Sequence, residues 1–173
     1  MLNTIIYLAL RVLHVLFAAT WIGSTAFIAL MLGPAIERAG ASGGQVMARI
    51  DARGFHKYMA LLATTTVLTG LYLIWRFTGG FDGDIAATHA GIAFGIGGVA
   101  GVLALIVGGI VVGRSARQAT DIINRVAGMP DGPEKGSLIM HAAAARRRMK
   151  AGTTVVIALQ ATALVFMAVG HYV

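Results

Sequence analysis

Arg11 and His14 stand three residues apart in the run LRVLHVLFAATWIGSTAFIALMLGPAI, which carries no further charged residue before Glu37. An ionisable pair inside a segment long enough to cross a bilayer is costly, and it persists where it faces a bundle interior or a wet site. Residues three apart share a helix face, and Ala18 and Trp21 continue that face. A neutral imidazole is a metal and haem ligand, and a guanidinium grips a carboxylate through two parallel hydrogen bonds. The chemistry open to this pair is axial ligation, proton relay or anion binding. The rival reading is a buried imidazole bonded to a neighbouring helix.

Other polar residues fall at the same depth. Counted at ~1.5 Å per residue from Glu37, Lys57, Arg114 and Lys150, His14, Arg76, His89 and His171 lie within roughly 10 Å of one level. Each sits on a different apolar run. On the second run, Thr65, Thr69, Tyr72 and Arg76 share a helical face; on the fourth, Thr153, Gln160, Met167 and His171 do so. Such stripes should point inward, because lipid offers polar groups no partner. His14 and His89 are the leading candidate metal ligands, with His171 and Met167 behind them. Arg11, Trp21, Tyr72, Arg76 and Gln160 are candidates to line a cofactor. The competing readings are an interfacial His89, an Arg76 that snorkels beside Trp75, a Gln160 that merely bridges helices, and threonines at 64–66 bonded to their own backbone. His56 and His141 belong to the opposite end and read as solvated.

The elements that must position these residues are membrane helices. The 173-residue chain is 57% hydrophobic and only 12% charged, which places it among integral membrane proteins. Four apolar segments, about 5–36, 58–75, 87–113 and 151–172, can each span the hydrocarbon. The predicted fold is an all-α integral membrane protein, a single antiparallel four-helix transmembrane bundle. Its first run is too long for a signal-peptide core and is expected to be retained. Absence of cysteine excludes disulfides, thiol catalysis, iron–sulfur clusters and covalent c-type haem. No phosphate loop, HExxH or GxSxG occurs.

The net charge of +7 comes from two connections. Segment 37–57 carries Arg38, Arg49, Arg53 and Lys57, and segment 114–150 carries eight Lys/Arg against three Asp/Glu. These read as cytoplasmic anchors against anionic lipid, and no nucleic-acid partner is expected. The second connection, with Asp82 and Asp84, is then outside, and so are both termini. The expected location is a bacterial inner membrane, crossed several times, with periplasmic termini. MPDGPEKG is a turn signal, so the third and fourth helices should continue past the membrane and meet there; Ser137 is the expected N-cap of the helix leading into the last span. Gly97, Gly101, Ala104 and Gly108 form a small-residue stripe suited to close helix contact.

The segment from His14 to Gly23, H-x6-W-I-G after LRVL, resembles the first helix of a loose bacterial superfamily. That superfamily includes copper-resistance D-type membrane domains and membrane-bound haem-containing protoporphyrinogen oxidases. Thr69-Gly70, a His opening the third helix and a basic lead into the fourth extend the resemblance weakly over the chain. It implies haem b, bound without covalent attachment, with His14 as a ligand and His89 as the second. The oxidases carry H-x-K where this chain has His89-Ala90-Gly91, so the resemblance points to haem more than to that oxidation. The resulting expectation is a membrane cytochrome in electron transfer, a possible oxidoreductase, with one haem near the outer side. Quinone or another redox protein would be its partner, within the bilayer and within a homo-oligomer or larger complex. The alternatives are a copper-binding or copper-transport protein, and a cofactor-free accessory subunit.

Overall fold

A computed structural model describes the backbone of residues 1–173 and every side chain except that of Ala41. Four helices are long and apolar enough to cross a membrane: α1 (Leu2–Arg38), α3 (Phe55–Phe77), α5 (His89–Val126) and α6 (Pro133–Val169). Between them lie the short helices α2 (Ala41–Ala52) and α4 (Gly83–Ala86). The all-α membrane bundle expected from composition is the fold observed.

The helices form a ring. α1 packs chiefly on α3, α3 on α5, and α5 along its whole length on α6, while α6 touches α1 more lightly and closes the circuit. α1 and α5 therefore face each other across a diagonal. The core is thin and built of small residues. Trp21 reaches in from α1 to meet Leu62, Ala63, Ala104 and Val156, with Phe17, Met59 and Leu159 around them. Large apolar side chains such as Leu16, Leu68, Leu103 and Leu164 point outward, as expected of a protein whose solvent on that side is hydrocarbon. Without a hydrophobic drive between helices, close approach at small residues supplies the packing. Gly97 shows this directly: a methyl group there would lie 3.1 Å from the Met167 side chain and 3.3 Å from the Ala163 carbonyl.

Both α1 and α5 are interrupted by a single π turn near the basic end, at Ile28–Leu32 and Gly108–Val112. In each, one N–H reaches back five residues, Gly33 to the Ile28 carbonyl and Gly113 to the Gly108 carbonyl.

Beyond the membrane, α5 and α6 continue as a hairpin whose seam is Ile122, Val126 and Ala142, flanked by Met129 and Leu138. The extension expected from MPDGPEKG is present, but the start of α6 differs. Its cap is Gly132, with Pro133 in the first turn, so Ser137 lies inside the helix and caps nothing. Proline's fixed φ and missing N–H suit a helix start, and here that preference prevails over serine's capping. At the other end Thr88 caps α5 by accepting from the Gly91 N–H at 3.1 Å, and Asp82 caps α4.

Candidate functional site

Arg11, His14, Arg76, His89 and His171 lie toward the end of the bundle that carries the chain termini. Of the fourteen Lys and Arg residues, only Arg11 and Arg76 lie there.

His14 is half-buried and turned toward α3. Its Nδ1 lies 2.9 Å from the Thr66 carbonyl oxygen and 3.1 Å from Thr69 Oγ1. A carbonyl can only accept, so Nδ1 carries the proton. The Thr69 hydroxyl already donates to the Thr65 carbonyl at 2.6 Å, which leaves its lone pair toward the ring. In the neutral imidazole the free lone pair is then on Nε2, which has no hydrogen-bond partner among the described residues. Gly70 completes the seat: a Cβ there would lie 2.8 Å from His14 Cε1 and 3.4 Å from Nδ1. Only glycine lets the ring lie this close to the helix.

One turn further out, Arg11 donates from its guanidinium to His171 Nε2 at 2.9 Å. The His171 ring meets Phe94 of α5 edge-on at 5.2 Å, and Phe94 meets Phe77 of α3 at 5.0 Å. Helix ends from α1, α3, α5 and the residues after α6 are thereby tied together. Of the four residues counted to one level, His171 is brought to α1 by its bond with Arg11, one turn from His14.

The remaining candidates are placed differently. His89 is the first residue of α5 and is exposed. Trp21 is core, only 6% exposed, two turns below His14. Tyr72 packs on Trp75 at 5.8 Å. Met167 fills the α5–α6 seam against Gly97. Gln160 is 2% exposed; its amide N–H reaches Thr25 Oγ1 at 3.4 Å and its Oε1 has no partner. Arg76 is exposed in a cleft between α1 and α3. At the far end His56 is not simply solvated, since it pairs with Asp51 at 2.9 Å and meets Phe55 edge-on.

Among the described residues, no three His, Asp or Glu side chains gather as a metal site. Two clefts, one in the hairpin and one beside Arg76, do not touch His14 or His89. Sequence reasoning missed Thr66 and Gly70 as partners of His14. The signal was Thr66-x-x-Thr69-Gly70, three positions that share one face of α3.

Fold and site together define a multi-pass membrane protein, a four-helix bundle with an imidazole–guanidinium layer at one end. The chain matches no family model, no curated protein and no solved structure.

Proposed function

We propose that this bundle binds one haem b at the end carrying its termini, with His14 as an axial ligand, and that it passes electrons across the membrane surface there. The observation that carries the reading is the state of His14. Ligating histidines donate their other ring N–H to a carbonyl or carboxylate, which fixes the tautomer and aims the lone pair. Nδ1–H on the Thr66 carbonyl is that arrangement, with Nε2 left free.

The donor set fits haem better than copper. Haem iron needs one or two imidazoles, whereas a copper site of several protein ligands has no clustered set of His, Asp or Glu to draw on. His89 is the proposed second ligand from the sequence pattern, and His171 is the one that lies beside Arg11. The Arg11 guanidinium has donors beyond the one given to His171, and these suit a carboxylate. When bound, haem supplies one-electron chemistry between ferric and ferrous iron. The protein orients the imidazole through Thr66 and Thr69, supplies positive charge through Arg11 and packs Phe94 against His171. The basic connections favour placing this end on the periplasmic side of a bacterial inner membrane, with a quinone or a second redox protein as electron partner.

A second reading has its own support. The seat at Gly70 also makes His14 a clamp between α1 and α3 in a cofactor-free accessory subunit. The pyridine haemochrome assay on purified protein separates the two. Protohaem is expected, lost in His14→Ala and kept in His56→Ala and His141→Ala, while His89→Ala and His171→Ala identify the second ligand. No protohaem in the wild type, or full retention in His14→Ala, overturns the haem reading and leaves the clamp.

A further inference from the structure

The Arg76 guanidinium makes no hydrogen bond or ion pair with any described residue, although Asp82 and Asp84 follow it closely in the chain. Asp82 is committed to its helix, accepting from the Asp84 and Ile85 N–H groups. The guanidinium instead lines a cleft of about 260 Å³ whose other walls are Asn3, Thr4 and Tyr7 of α1 and Phe77 of α3. None of those three α1 side chains has a protein partner either. Asn3 and Tyr7 stand one helical turn apart on the same face, with Thr4 beside them, so residues bearing amide, hydroxyl and phenol groups line the cleft together with one cation.

We propose that this cleft is a binding site for a phosphate-type oxyanion, held by Arg76 and by the neutral donors Asn3, Thr4 and Tyr7. The chemistry follows from what lines it. A guanidinium presents a planar fork that matches two phosphate oxygens, and the three neighbours can donate the remaining hydrogen bonds. No carboxylate lines the cleft to repel an anion or satisfy the cation. Phe77 supplies an apolar wall for the carbon skeleton that a phosphate ester carries. Depth agrees: Arg76 lies roughly 29 Å along α3 from Lys57, about one hydrocarbon thickness, so the cleft opens at headgroup level. The oxyanion then has two sources, the headgroup of an anionic phospholipid or a soluble phosphate. This inference does not rest on the haem proposal, because it uses neither His14 nor iron.

The test uses the full chain in detergent micelles, with two probes. One is dihexanoyl phosphatidylglycerol and the other is sodium phosphate, each titrated calorimetrically against wild type, Arg76→Gln, Arg76→Lys and Tyr7→Phe. Saturable binding is expected, weakened about tenfold or more in Arg76→Gln. Arg76→Lys, which keeps charge but loses the fork, should fall between, and Tyr7→Phe should lose less than Arg76→Gln. Binding of the lipid alone assigns the site to a headgroup; binding of both assigns it to the phosphate group itself. Both results support the site. Failure of both probes to bind, or equal binding by Arg76→Gln, overturns it.

Discussion

Substituting Gly70 by alanine isolates the contact on which the candidate site is built. At an ordinary helix position the change is stabilising by about 1 kcal/mol, because alanine loses less backbone freedom. At Gly70 the new methyl would lie 2.8 Å from His14 Cε1, where ordinary contact begins at 3.4 Å. The ring has to retreat by the difference, and its Nδ1 bond to the Thr66 carbonyl, now 2.9 Å, lengthens or bends. Overpacking of this size costs about 1–3 kcal/mol and the weakened hydrogen bond about 1 more. Set against the propensity gain, Gly70→Ala should destabilise by about 1–3 kcal/mol. In a His14→Ala background the obstruction is gone, and the same substitution should be neutral or stabilising by up to about 1 kcal/mol. The double-mutant cycle should therefore give a coupling of roughly 1–4 kcal/mol between positions 14 and 70. Gly101→Ala is the control, since nothing lies within 4 Å of its added methyl. The assay is reversible unfolding in mixed dodecylmaltoside–dodecylsulfate micelles. A coupling below about 0.5 kcal/mol would refute the seat at Gly70 and with it the orientation assigned to His14.

Three further outcomes are expected. Single cysteines at Ser42, Asp82 and Asp131, probed with an impermeant thiol reagent in intact cells, should be labelled only at Asp82; labelling at the other two alone reverses the membrane orientation. Gln160→Met should be neutral or stabilising by up to about 2 kcal/mol, because it removes a buried oxygen without a partner and sacrifices only a long bond to Thr25; a loss beyond about 1 kcal/mol would mean that the amide is held by something else. Ile122→Ala should open the α5–α6 hairpin by about 2–3 kcal/mol while sparing the spans, read as faster hydrogen exchange confined to 114–150; uniform acceleration would show that hairpin and bundle unfold together.

The four spans were legible in the sequence because length and apolarity alone decide them. Depth was legible too, since residues counted from basic boundaries locate a level, and His171 does reach α1 through Arg11, one turn from His14. Direction was harder. His89 was placed at the right end, but capping by Thr88 makes it the first residue of α5, where it is exposed. The partners of His14 were hidden for another reason. Thr66 offers a backbone carbonyl, which every residue has, and Gly70 offers an absence of side chain; periodicity within one helix reports neither. Nothing in Ile28–Leu32 or Gly108–Val112 marks a hydrogen bond of five residues in place of four. The Arg76 cleft required two helices to be seen together, although the cation itself was visible from the start.

The π turn at Gly108–Val112 separates α5 into two phases. Each extra residue in such a turn rotates everything beyond it by about 100° relative to an unbroken helix. The membrane face of Gly97 and Ala104 and the hairpin face of Ser115, Ala119, Ile122 and Val126 are thus set independently along one continuous rod. Loss of one residue from an ordinary helix spoils its register outright. Loss of one here would restore a regular ladder, keep the spans as they are and swing the hairpin's apolar seam away from α6. Small length variation at this turn is a way to re-aim the α5–α6 hairpin without disturbing the membrane bundle beneath it.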